Sequence, residues 1–164
     1  MDDVSRVVSS EDEELILVDA DDREQGHLSK AACHDGTGVL HRAFSAFLFN
    51  AAGELLLQQR AESKRLWPGY WSNSCCSHPR RGESLEVATS RRLLDELNFA
   101  TELEHVYWFC YQAQFDQTGA ENELCHVYLG RTSEDMRPND SEIAALRYVT
   151  PGRLEREFAA RPER

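Results

Sequence analysis

Residues 41–59 constrain the fold more than any other stretch. HRAFSAFLF, read as extended chain, puts Phe44 and Leu48 on one face and Phe47 and Phe49 on the other. Asn50–Gly53 supplies turn residues, and Leu55–Gln59 resumes the apolar pattern, so the segment predicts a β-hairpin. Around it, Glu14–Asp19 (ELILVD) reads as a short strand and residues 61–74 as a loop rich in Trp, Gly and charge. Ser84 has the character of an N-cap for a helix through about Leu97, with Ala88, Leu93, Leu94 and Leu97 as a partial apolar stripe. Strands are expected near 104–115 and 123–131, joined by a turn around Gln117–Gly119, and Thr150-Pro151 opens a last helix with Pro at its first position. The order β, ββ, α, ββ, β, α predicts an α/β (α+β) fold, a mixed sheet with packed helices.

Composition narrows the function. A chain of 164 residues with 15 aromatics has the size and bulk of one domain. We expect a single domain over 14–164, preceded by an acidic, frayed arm over 1–13. No apolar run approaches the ~18–20 residues of a membrane helix. The first thirty residues lack the basic start and apolar core of a secretory signal, so a cytoplasmic location is expected. The net charge is −11, and residues 1–24 carry ten acids against Arg6 and Arg23. Such a chain repels phosphate backbones, which argues against nucleic acid as a partner. Cys33, Cys75, Cys76, Cys110 and Cys125 form an odd set without secretory context, so reduced thiols are expected and metal binding or catalysis stays open.

The chemistry concentrates in three places. In WSNSCCSHP, Cys76 and His78 stand two apart and share a face if the segment is extended, as do Glu121 and Glu123 in AENELC. His34 and His41 could join them, and three imidazoles with two carboxylates suit a borderline divalent ion such as Zn²⁺ or Mn²⁺. Each residue alone has a plainer explanation as a core or surface group. Arg60, Lys64, Arg65, Arg80, Arg81, Arg91 and Arg92 gather cations in an otherwise acidic chain, either to grip a diphosphate or simply for solubility. Finally, GESLEVATSRRLLDELNF (82–99) resembles the Nudix box, a loop–helix–loop that holds Mg²⁺ on a diphosphate. Gly82, Glu83, Arg91 and Glu96 fit it, but Arg92 stands where the box has a metal-binding Glu, Asp95 replaces another Glu and Asn98 its closing Gly. A cation in the metal cage suits a diphosphate used as a handle rather than one that is cut.

Together, HRAFSAFLFN, QQRAESKRLWPGYWSNSCCSHP, the degenerate box and ENELC resemble the type 1 isopentenyl-diphosphate Δ-isomerases, from about Lys30 to Tyr148. The resemblance implies a Nudix-like mixed sheet sandwiched between helices. It also implies isomerisation of isopentenyl to dimethylallyl diphosphate through a carbocation-like species. It matches Cys76 and Glu123 to the catalytic pair and Tyr111 to the tyrosine that assists the acidic side. His34, His41, His78, Glu121 and Glu123 match the ligands of a tightly held Zn²⁺ or Mn²⁺. Glu96 matches the carboxylate of a second site, where Mg²⁺ bridges to the substrate. Lys30, Arg60, Lys64 and Arg92 match the diphosphate-binding cations, and Trp71 offers a π face to the cation. The implied partner is a small prenyl diphosphate, with no nucleic acid or membrane, in a monomer or weak homodimer. Family members continue past the position of Arg164 into a Trp-bearing tail, so weaker closure over the substrate is expected here. A Nudix hydrolase and a metal-stapled binding module are the competing readings.

Overall fold

The computed structural model describes residues 5–162. Its elements are β1 (Glu14–Val18), β2 (Glu24–Ser29), α1 (Lys30–His34), β3 (His41–Phe49), β4 (Leu55–Arg60), β5 (Trp71–Ser72), β6 (Cys75–Ser77), α2 (Leu85–Leu97), β7 (Glu104–Asp116), β8 (Gly119–Arg131), β9 (Ile143–Val149) and α3 (Pro151–Ala160). All the strands belong to one mixed sheet with β3 at its centre. Along its whole length β3 pairs in parallel with β8, from His41↔Glu123 to Phe49↔Arg131. Its other edge takes β6 through Phe44↔Ser77, Ser45↔Cys76 and Ala46↔Cys75. Helices cover both faces, as the mixed-sheet reading expects. Phe44, Ala46, Leu48 and Leu56 pack with Ala88, Leu93 and Leu97 of α2, while Leu55, Leu57 and Val149 meet Phe49, Trp71 and Leu154 on the α3 side.

The expected hairpin turns out to be a corner. Asn50 makes the turn, its Oδ1 accepting from Ala52 N and Glu54 N, with Gly53 at φ +76°. Yet β3 and β4 share only the pair Phe49↔Leu55. Beyond it the buried Ser74 hydroxyl takes the place of the ladder, accepting from Leu48 N at 2.8 Å and donating to Leu56 O at 2.7 Å. This satisfies both backbone groups while letting the strands part. Freed from β3, β4 pairs antiparallel with β9 from Leu55↔Val149 to Arg60↔Ile143. That divergence lets β6 enter beside β3, which is how Cys76 and Glu123 come to flank the same strand from opposite edges.

Helix α2 starts where the cap residue places it: Ser84 Oγ accepts from Val87 N at 3.2 Å. It ends on Asn98 at φ +54°, a left-handed position that Asn tolerates in place of the Gly of the box. The sequence reading passed over β2 and α1. The five residues of α1 are too few to show periodicity, but Ser29 caps them and they set Lys30 and His34 one turn apart.

Candidate active site

One cavity of about 860 Å³ gathers most of the residues singled out from sequence, including Lys30, His34, Cys76, Tyr111, Glu121 and Glu123. Strand alternation explains the convergence. Ser45 and Phe47 of β3, Glu121, Glu123 and Val127 of β8, and Tyr107, Phe109 and Tyr111 of β7 all line it. The intervening β3 residues Phe44, Ala46 and Leu48 go to the core beneath α2.

At one end, His34, His41, His78 and Glu123 bring ligand atoms within 4.8 Å of one another. His34 Nδ1 lies 2.8 Å from Lys30 O and His41 Nδ1 2.7 Å from Val39 O. A carbonyl only accepts, so both rings donate from Nδ1 and turn Nε2 inward. Those atoms lie 4.0 Å and 3.6 Å from Glu123 Oε1, with His78 Nε2 at 2.9 Å. His41 is fully buried, and its Nε2 has no hydrogen-bond partner among the described residues. Lone pairs aimed at a carboxylate oxygen repel it unless a cation lies between them. Carbonyl-anchored imidazoles around a carboxylate fit a divalent ion, the outer hydrogen bonds fixing the ring tautomers. Burial, ahead of the neighbouring His41 and His34 and against the pull of Glu123, pushes the His78 pKa down to about 3. Glu121, expected as a further ligand, is not in this group.

Glu121 is tied instead to Tyr111, whose hydroxyl lies 2.8 Å from Glu121 Oε2 and 2.7 Å from Glu123 Oε2. A phenol has one proton, so it can donate to only one of them, and the second contact requires a proton on a carboxyl group. Burial, and then the Glu123 charge, raise the Glu121 pKa. Tyr111 thus bridges Glu121 and Glu123, with its own proton and one carboxyl proton shared among the three groups. On the far side of β3, Cys76 Sγ donates to Asn73 Oδ1 and lies 3.4 Å from Ser45 Oγ and 3.8 Å from Ser72 Oγ. Burial pushes its pKa up to about 11 although both serines pull it down, so it rests as a thiol.

The other end is cationic. Lys30, Arg60, Lys64 and Arg92 line it, and Arg65 adds a fifth cation. Arg92 is held by Glu96 through Nε at 3.0 Å and by Glu142 through Nη2 at 3.0 Å. Lys64 also donates to Glu142, and Gln58 Nε2 reaches Glu96 Oε2 at 3.2 Å. Arg80, Arg81 and Arg91 are not cavity residues and pair with Glu13, Glu14 and Glu83. Trp71, expected at the substrate, is not among the cavity-lining residues although the adjacent Ser72 is; its indole packs against the Leu55–Leu57–Val149 cluster beneath the Arg147 guanidinium, 4.5 Å from the ring centroid. Glu142, 4% exposed, was missed by the sequence reading because a lone Glu in NDSEIAAL carries no spacing signal. Gln58, Asn73 and Ser45 were missed for the same reason.

The NUDIX domain model matches residues 39–164. An isopentenyl-diphosphate Delta-isomerase of Burkholderia multivorans is 47% identical, over 84% of this chain and 78% of its own length. One from Halorhodospira halophila is 42% identical, over 93% of this chain and 88% of its own. The chain belongs to the isopentenyl-diphosphate Delta-isomerase family of the NUDIX fold. Among solved structures, a Deinococcus radiodurans protein superposes with a TM-score of 0.74 at 27% identity, covering 90% of each chain. A MutT protein of Methanosarcina mazei, at TM-score 0.60 and 20% identity over 73% of this chain and 81% of its own, shares the fold alone. The Arg92–Glu96 pair of α2, in the segment that resembles the Nudix box, is buried and bonded. Among the described residues, no helix is long and apolar enough to cross a membrane.

Proposed function

We propose that this chain interconverts isopentenyl and dimethylallyl diphosphate. The observation that carries the reading is the placement of two proton-carrying groups, the Cys76 thiol and the Tyr111-bridged Glu121–Glu123 pair, on opposite edges of β3 but facing one cavity. Moving an unactivated double bond needs one proton delivered to the terminal methylene carbon and another removed from the adjacent methylene. The π pair forms the new C–H bond, a tertiary cation results, and the C–H pair released on the other side becomes the new double bond. An acid and a base facing each other across the hydrocarbon serve this, exchanging roles in the reverse direction.

Lys30, Arg60, Lys64 and Arg92 would take the diphosphate, fixing the hydrocarbon between Cys76 and Glu123. Tyr107, Phe109, Phe47 and Val127 give that part of the cavity apolar walls that exclude water able to trap the cation. The residues that would hold a Zn²⁺- or Mn²⁺-class ion are His34, His41, His78 and Glu123. Such an ion supplies the positive charge that the facing lone pairs and carboxylate lack. Glu96 would be the carboxylate for Mg²⁺ entering with the diphosphate, since that ion commonly binds through one or two carboxylates plus phosphate oxygens. The single-domain reading and a cytoplasmic setting complete the proposal.

Cys76→Ser and Glu123→Gln should each lower turnover by roughly 10²–10⁴-fold, while inorganic pyrophosphate still binds with Mg²⁺ present. Near-normal turnover by either variant would remove that residue from the chemistry.

A further inference from the structure

Residues 6–13, part of the arm expected to be frayed, are bonded in the structure and lie against the cations just assigned to the diphosphate. Val7, Ser9 and Glu11 line the cavity. Lys30 donates to Ser9 Oγ and lies 3.9 Å from Glu11 Oε1. Arg65 Nη1 is 3.5 Å from Glu11 Oε2, and Arg92 Nη1 donates to Val8 O at 3.4 Å. The strap is anchored at both ends. Arg6 O accepts from Asn139 Nδ2 at 2.9 Å and Ser141 Oγ at 3.0 Å. Glu11 O and Glu13 O accept from Ala31 N and Lys30 N at 2.9 Å and 2.7 Å.

Every polar group the strap turns toward the cavity cations is an oxygen: a hydroxyl, a peptide carbonyl and a carboxylate. That is the chemistry a diphosphate would present. We infer that residues 6–11 form a built-in competitor, a strap that presents oxygen atoms to the anion end of the cavity and is displaced by the diphosphate of the substrate. The inference rests on the proposed function only in assigning the cations to a diphosphate. The substitution is favourable for the substrate because forked guanidinium contacts to a multiply charged phosphate are stronger than a peptide carbonyl or one half-exposed carboxylate can offer. Ion pairs to Glu11, whose side chain is 49% exposed, are individually weak, so the strap tunes affinity rather than closing the site.

The test is calorimetric titration of the full chain with inorganic pyrophosphate at fixed Mg²⁺, comparing Glu11→Gln with Asp12→Asn. The second variant removes an equal charge that does not line the cavity. Competition predicts about three- to fivefold tighter pyrophosphate binding for Glu11→Gln, no comparable change for Asp12→Asn, and faster amide exchange over residues 6–11 when pyrophosphate is added to the unaltered chain. Equal tightening in both variants would reduce the effect to net charge and overturn the inference. Unchanged or weaker binding in Glu11→Gln would make Glu11 a support for the cations and overturn it as well. Absence of pyrophosphate binding in every form would overturn both this inference and the anion site. Tightening with no isomerase turnover would leave the strap standing and sink the proposed reaction instead.

Discussion

The two ends of the cavity solve the problem of buried charge in opposite ways. At the His34–His41–His78–Glu123 end, His34 and His41 anchor Nδ1 on backbone carbonyls and turn Nε2 toward the Glu123 carboxylate, and His41 Nε2 has no hydrogen-bond partner among the described residues. At the Arg92 end, each deeply buried cation already has its acid, with Glu96 and Glu142 both under 5% exposed. The first end has the donor set of a divalent-cation site. The second is complete at rest, so an incoming anion must exchange partners rather than fill a gap. Preorganisation at one end and exchange at the other fits a site that keeps a metal but releases its product.

Breaking the complete end should have the larger effect. Glu142→Gln leaves Lys64 and Arg92 short of a buried counter-charge and should cost about 3 kcal/mol of stability, read as a lower urea midpoint, with pyrophosphate restoring part of it. Loading the histidine end should act in the other direction. Zn²⁺ or Mn²⁺ added to chelator-stripped protein at about 100 times its dissociation constant should stabilise the fold by about 2.7 kcal/mol. His41→Ala should abolish most of that gain. A stripped protein indifferent to both ions would mean that the cluster holds no metal.

These contrasts show what the sequence could reveal. Cys76, His78, Glu121 and Glu123 were legible because two-residue spacing on a strand fixes a common face, and His34 and His41 were candidates to join them that the resemblance then matched to metal ligands. The balancing acid Glu142 was not legible. Its role depends on the loop before β9 passing over α2, a contact far apart in sequence. The hairpin misled for a related reason: Ser74, well outside the turn, decides that β3 and β4 part. Trp71 was misassigned because aromatic character gives no facing, and β5 has only two residues from which to read alternation.

Acid should expose the same asymmetry through His78. Its folded pKa of about 3 lies below the unfolded value of roughly 6.5, so the unfolded chain takes up a proton that the folded one refuses. The stability this lends to the stripped protein is full above about pH 6.5 and is lost as pH falls toward about 3, by up to about 1.4 kcal/mol per unit. Urea midpoints at about pH 7, 6 and 5 should show the slope, and His78→Gln should flatten it. The smallest effect belongs to the corrected residue. Trp71→Phe keeps the packing against Leu55, Leu57 and Val149 and leaves the cavity untouched, so turnover should stay within about twofold; a loss of tenfold or more would return Trp71 to the substrate.

The central claim is that protons are exchanged at carbon across β3 while the diphosphate stays intact. It is tested most directly by proton NMR of the chain with isopentenyl diphosphate, Mg²⁺ and Zn²⁺ or Mn²⁺ in D₂O. The account predicts dimethylallyl diphosphate carrying deuterium at the methyl group formed from the terminal methylene, with no phosphate released. Free phosphate or pyrophosphate with the double bond unmoved would contradict it.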